Sequence, residues 1–142
     1  SIYLNAPLYV GQDSIVQLLM EDTSIRQCTS FWDQLGNALI GIGRGDIVGT
    51  KDPHFLAALD AVGRSRVAAA VCGWFVDGEG NAIKGRNTTS VNVDQLKKAR
   101  SVIAIAGGKS KARAILAVLR GKFVTHLVTD EDVAREILFM QS

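Results

Sequence analysis

At 142 residues, 47% of them hydrophobic and 21% charged, the chain is long enough to bury a core of its own and too ordinary in composition for a disordered or fibrous protein, so one domain is expected. A formal net charge of +2 is too small to argue for a nucleic-acid face by itself. Cys28 and Cys72 stand in apolar surroundings without paired spacing, which fits buried thiols in a reducing compartment rather than a disulfide framework.

No apolar run reaches the roughly 18 residues of a membrane span, and the opening SIYLNAPLYV lacks the basic start of a signal peptide, so a cytoplasmic protein without membrane contact is expected. The charge is unevenly spread. Residues 1–77 hold five Lys and Arg against eight Asp and Glu, and residues 78–142 hold eleven against six, so an anion site is expected in the second half.

In chain order, DSIVQLLMEDTS predicts an amphipathic helix over 12–20, capped by Asp13 or Ser14, with Ile15, Val16, Leu19 and Met20 on one face. SIRQCTSFWDQLGN predicts a second over 24–36, capped by Ser24 and closed by Gly36. NALIGIGRGDIVG predicts a buried strand, Ala38 to Ile42, running into a glycine-rich loop. KDPHFLAALDAVG predicts a helix capped by Asp52, with Pro53 in its first turn and Gly63 at its end. RVAAAVCGWFVDGEGNAI predicts a strand ending near Asp77, a DGEGN turn and a second strand, and VDQLKKA a short helix capped by Asp94. SVIAIAGG, KSKARAILAVLRGK, FVTHLVTD and EDVAREILFM then read as strand, helix, strand and helix, the last opened by Thr129 or Asp130. This order predicts parallel strands joined by a right-handed crossover.

The stretch AGGKSKARA, residues 106–114, carries the sharpest chemical signal. It lies beyond the carboxyl end of a strand, where open parallel sheets bind ligands, and at the start of a helix. Free N–H groups and the helix dipole favour an anion there, and Gly107 and Gly108 let it approach the main chain. Lys109, Lys111 and Arg113 oppose that dipole, so either an anion offsets them or they are simply solvated. Gly41 and Gly43 mark a second strand end, or a tight turn with no further role. Asp77 is either a turn former or an acceptor for sugar hydroxyls, and Arg86 either a bidentate phosphate ligand or a solvated loop residue. Walker and dinucleotide glycine patterns, metal-ligand spacings and a nucleophile elbow are all missing from the sequence, so no metal and no cofactor is expected.

Five segments taken together, YLNAPLYV (3–10), LIGIG (39–43), CGWFVDGEGNAI (72–83), VIAIAGGKSKARAILAVLRG (102–121) and LVTDEDVAREIL (127–138), resemble the effector-binding domain of the SorC family of bacterial sugar-responsive transcription regulators, which includes the central glycolytic gene regulator. The resemblance implies an α/β, three-layer α/β/α Rossmann-like fold similar to ribose-5-phosphate isomerase and glucosamine-6-phosphate deaminase. It implies a phosphorylated sugar or polyol as effector, with Lys111 of the Gly107-Gly108-x-x-Lys111 turn facing the phosphate and Lys109 and Ser110 within that turn. It also implies that Asp77 binds effector hydroxyls, that Gly41 and Gly43 line the pocket, and that Arg86, or Asn87 in a shifted register, is the basic loop position. Ala69 and Ala70 depart from the Gly-Asp that many members carry. No counterpart of the family's N-terminal helix-turn-helix or of its glycine- and threonine-containing phosphate loop precedes Ser1. The expectation is therefore a partial effector domain over 1–142, a homo-oligomer (dimer or tetramer) with the exposed face of helix 12–20 or of helix 24–36 as candidate interface, and operator DNA read only through the missing N-terminal domain. The alternative expectation is an isomerase or deaminase on the same scaffold, with Asp77 as its base.

Overall fold

Two sheets share one buried helix. The computed structural model describes residues 1–47, 59, 61–83 and 88–142. Strands β1 (Asn37–Ile40), β6 (Ser101–Ile105) and β7 (His126–Val128) form a parallel sheet in the order β1-β6-β7, with Leu39 opposite Ile103 and Ile103 opposite His126. Strands β2 (Gly43–Arg44), β3 (Val67–Val71), β4 (Trp74–Asp77) and β5 (Ala82–Ile83) form a separate antiparallel sheet in chain order. The α/β class and the expected parallel crossover are both present, and the expected hairpin strands make the second sheet.

The helix α5 (Ala112–Arg120) lies in the core with Ala112, Ala114, Ile115, Leu116, Ala117 and Val118 all buried. Its alanines let β3 and β4 approach closely, and its core also takes in Val102 and Ala104 of β6, Ala69 and Val71 of β3 and Val76 of β4. Burying Ile115, Leu116 and Val118 stabilises the fold by about 1.5–3 kcal/mol each. Val133 and Ile137 of α6 (Glu131–Gln141) close the same core.

The strand expected to be buried over Ala38–Ile42 is covered on one face only. Ala38 and Ile40 pack on the core, whereas Leu39 is 70% exposed, and Ile105 and Val128 beside it are each 54% exposed. Alternation explains this, because neighbouring residues of a strand face opposite sides and the core lies on one of them. Beyond β1 the chain turns into β2, and buried Ile42 joins the core between them.

Several element ends differ from the sequence reading. The stretch read as one strand through VCGWF is a two-residue hairpin: Cys72 and Gly73 both have positive φ, 48° and 80°, and Val71 pairs with Trp74. This matches a primed turn, whose twist suits the flanking strands, although Cys-Gly is not among its usual signatures. The second helix ends early, as α2 (Thr23–Thr29), and Trp32–Gln34 forms a separate 3₁₀ turn. The Ser30 hydroxyl donates to the Gln27 carbonyl, a side-chain bond that competes with helix continuation.

Three caps shift by one or two positions, since periodicity fixes a helix face better than its end. Asp22, not Ser24, caps α2 by accepting from the N–H groups of Ser24 and Ile25. Asn92, not Asp94, caps α4 (Val93–Lys98) in a reciprocal box with Gln95. Gln12 precedes α1 (Asp13–Glu21) without a side-chain cap, and α1 buries none of its residues. Gly63 lies inside α3 (Ala61–Arg66) rather than ending a helix, and the predicted start at Asp52 and Pro53 falls outside the described residues.

The far end of α5 is held by a close main-chain contact. Gly80 has φ of 93°, and a Cβ there would meet the Gly121 nitrogen at 2.3 Å. Replacing Gly80 with Ala should therefore cost at least about 2 kcal/mol, from backbone strain and steric overlap together. A urea titration of the G80A variant showing an unchanged midpoint would contradict this packing.

Candidate functional site

The carboxyl ends of β6 and β7 set the first half of the site. Leaving β6, the chain passes Ala106 and Gly107 to Gly108, whose φ of 92° suits glycine, then forms a 3₁₀ turn, Lys109–Lys111, that opens α5. Leaving β7, it reaches Asp130, which caps α6 by accepting from the Val133 N–H through Oδ1 at 2.9 Å. The other oxygen, Oδ2, accepts from the Gly108 N–H at 2.6 Å. A Cβ on Gly107 would lie 2.8 Å from the same oxygen. Hydrogen bonds from Gly108 and then Val133 hold the Asp130 carboxyl below the usual carboxylate range, outweighing a smaller opposing effect of burial.

The glycine turn thus already receives one internal carboxylate. Lys109 is likewise occupied, its Nζ 3.2 Å from Oε2 of Glu136 on α6. Lys111, half-buried, and Arg113, exposed, have no ion pair among the described residues. Asp130 was read from sequence only as a helix cap. Its second bond, to a turn 22 residues away in the chain, had no signal there.

The second half of the site is a cavity of about 320 Å³ beside this turn. Ser110 and Arg113 line one side, at the start of α5. Arg44 and Asp46, from the end of β2, and Arg64 and Arg66, from α3, line the rest. Gly45 permits this closure, because a Cβ there would sit 2.4 Å from the Val67 carbonyl oxygen. Arg44 is held by the Asp46 carboxylate and Arg66 by that of Asp77, with Nη2 to Oδ2 at 3.0 Å.

Of the residues predicted to bind a ligand, Ser110 lines this cavity, while Gly107, Gly108, Lys109 and Lys111 form the adjoining turn. Gly43 lies in β2, opposite Ala70, and Gly41 sits in open space just before it. Neither lines the cavity, where Gly45 does. Arg86 and Asn87 fall outside the described residues. The arginines at 44, 64 and 66 were not singled out from sequence, because they are scattered over 23 positions in the half of the chain where acidic residues outnumber basic ones.

Asp77 is placed apart from the glycine turn. The turn that follows it docks on the last residues of α5, where the Arg120 guanidinium donates to the Gly78 carbonyl at 2.9 Å. The lysine turn lies at the other end of this nine-residue helix, about 13 Å of rise away. The Asp77 side chain is only 1% exposed. Oδ1 accepts from the N–H groups of Glu79 and Asn81, and Oδ2 from Arg66 and the Asn81 amide. Burial pushes its carboxyl up, but these donors, led by Asn81, together hold it below the usual range.

Because the folded-state pKa of Asp77 is depressed, the unfolded chain binds more protons in acid. Its stabilising contribution is complete above the unfolded carboxylate range, about pH 4, and is lost as pH falls through the lower folded value. The urea midpoint should therefore drop on acidification below about pH 4. Asp77→Ala should cost about 2–3 kcal/mol at neutral pH by stranding buried donors, and should flatten that acid dependence. A variant with an unchanged acid slope would assign the slope to other carboxylates.

The chain is an α/β unit with a cavity, lined by Arg44, Arg64, Arg66 and Arg113, beside the glycine turn. Residues 1–139 match the family described as "Putative sugar-binding domain", and the chain belongs to that family. It is 28% identical over 152 residues to the transcriptional regulator LsrR of Klebsiella pneumoniae, covering 96% of this chain and 45% of that protein. It is 30% identical over 126 residues to the sorbitol operon regulator of the same species, covering 84% of this chain and 40% of that one. The solved structure of the full-length sorbitol operon regulator SorC from Klebsiella pneumoniae superposes with a TM-score of 0.79 at 28% identity, over 93% of this chain and 45% of that one. The chain spans less than half the length of the curated relatives it matches. The SorC resemblance read from the five segments is borne out. The matched relatives are regulators by name, so the enzyme alternative gains nothing from them.

Proposed function

We propose that this chain is the effector-sensing module of a cytoplasmic transcriptional regulator of carbohydrate metabolism, and that it binds a phosphorylated sugar or polyol. The observation that carries the reading is the junction of two features: a helix-opening glycine turn with Lys111 and Arg113 unmatched by a carboxylate among the described residues, and a sugar-sized cavity reached through Ser110. The phosphate occupies the turn side, where first-turn N–H groups lack intrahelical acceptors. The sugar extends into the cavity. Binding that favours one arrangement of a homo-oligomer then alters operator binding by a DNA-reading segment elsewhere in the regulator.

Membership of a sugar-binding family and relatives named as operon regulators support this assignment. No helix among the described residues is long and apolar enough to cross a membrane. An isomerase or deaminase would need an available base. Asp77, the candidate named for that role, has both oxygens occupied within its own turn and toward Arg66.

A thermal-shift screen tests the assignment, using glucose 6-phosphate, ribose 5-phosphate and glucitol 6-phosphate beside the unphosphorylated compounds and free phosphate. At a hundred times its Kd, a ligand specific for the folded chain stabilises it by about 2.7 kcal/mol, or on the order of 5–10 °C in Tm. Stabilisation should require the phosphate and should be lost in Lys111→Ala. Equal shifts with an unphosphorylated sugar, or an undiminished shift in the variant, would remove the turn from the binding site.

A further inference from the structure

The glycine turn that opens α5 is already engaged by carboxylates from the cap and the body of α6. Asp130, the cap, accepts from the Gly108 N–H through Oδ2 at 2.6 Å. The same oxygen fills the space a side chain on Gly107 would need, since a Cβ there would approach it to 2.8 Å. Further along α6, Oε2 of Glu136 holds the Lys109 ammonium at 3.2 Å. A main-chain N–H and a lysine, the two kinds of donor that a phosphate oxygen takes, are thus each occupied from within the chain. Lys111 and Arg113, in contrast, have no ion pair among the described residues.

An anion drawn to this turn meets those carboxylates at close range. Gly108 and Lys111 close one tight turn, the Lys111 N–H donating to the Gly108 carbonyl at 2.8 Å. A phosphate that spans the turn therefore comes up against Asp130. Like charges near hydrogen-bond distance repel strongly where water screens them poorly, and the Gly108 N–H offers a single proton to two competing acceptors. An acceptor inside the chain lowers the apparent affinity for a ligand by the fraction of time that it leaves the site free.

From this we infer that Asp130 and Glu136 are internal competitors of the ligand's phosphate: the phosphate takes the Gly108 N–H from Asp130 and the Lys109 ammonium from Glu136, and its binding loosens the hold of α6 on the turn. The inference rests on the phosphorylated-ligand reading above and deepens it, because the affinity of the site is then set by two carboxylates of the chain as well as by its cations. Such a linkage is reciprocal. Whatever strengthens the attachment of α6 to the turn weakens the ligand, and the ligand weakens that attachment by the same factor.

Two variants separate competition from a merely structural tie. Asp130→Asn removes the charge but keeps a residue type that caps helices well, and Glu136→Gln removes the second charge without touching a cap. Calorimetric titration of the full chain with inorganic phosphate and with glucitol 6-phosphate should show roughly fivefold or more tighter binding to D130N, and roughly twofold or more to E136Q. Lys111→Ala should weaken both ligands in each background. Hydrogen exchange gives the second readout: with glucitol 6-phosphate bound, the amides of residues 133–137 should exchange faster than in the free chain, whereas a carboxylate that only ties two elements together leaves them slower. Unchanged or weaker binding by both variants, or slower exchange of those amides, overturns the inference, and the phosphorylated-ligand reading stands as long as Lys111→Ala still weakens binding. Absence of binding by the unsubstituted chain and by both variants, or indifference to Lys111→Ala, overturns the underlying reading instead.

Discussion

The burial of α5 is the constraint on which the other features depend. A helix with apolar or small residues at 112 and 114–118 has little face left for water, so it needs neighbours on several sides. The antiparallel sheet supplies one through β3 and β4, while β6 and α6 contribute to the same core. A helix fixed this way presents both ends at defined places. Its start carries the glycine turn and one wall of the cavity, and its finish receives the DGEGN turn through the Gly80–Gly121 approach. The separation of Asp77 from the lysine turn follows from this packing.

At the start of α5, the chain supplies an anion of its own. Asp130 satisfies a main-chain donor of α6 and one of the glycine turn with its two oxygens, so one side chain joins the ends of β6 and β7. Lys109 then reaches across to Glu136, further along α6. The turn is consequently held by contacts within the chain itself. Basic residues that look alike in the string KSKAR divide into one already paired and two without a carboxylate among the described residues.

The legible part of this structure was what local periodicity and turn chemistry determine. The strand–turn–helix of 101–120, the final strand and helix, and the glycine turn followed directly from apolar runs bounded by Gly and Asp. Caps slipped by a residue or two because Asp22 and Ser24, or Asn92 and Asp94, offer similar chemistry, and only the path of the backbone chooses between them. The Cys72–Gly73 hairpin was hidden because the flanking residues are apolar on both sides and Cys is an uncommon occupant of positive φ. The convergence of Arg44, Arg64 and Arg66 on one cavity was invisible for a different reason. These residues come from β2 and α3, and the antiparallel pairing of β2 with β3, which follows α3 directly, brings them together, with Gly45 close against the Val67 carbonyl.

The cavity is bounded by parts of both sheets' surroundings, and this has a mechanical consequence. Ser110 and Arg113 belong to the helix start, tied through the glycine turn and Asp130 to the parallel sheet, whereas Arg44 lies in β2, an edge strand of the antiparallel one, and Arg66 ends the helix that leads into β3. The two sheets also meet through α5 and through buried Ile42 between β1 and β2. The Lys109–Glu136 pair extends the same connection to α6, whose outer residues Leu138 and Phe139 are exposed at 67% and 78%. The start of α5 and the helix that ends in these exposed apolar residues are therefore joined by both a hydrogen bond and an ion pair.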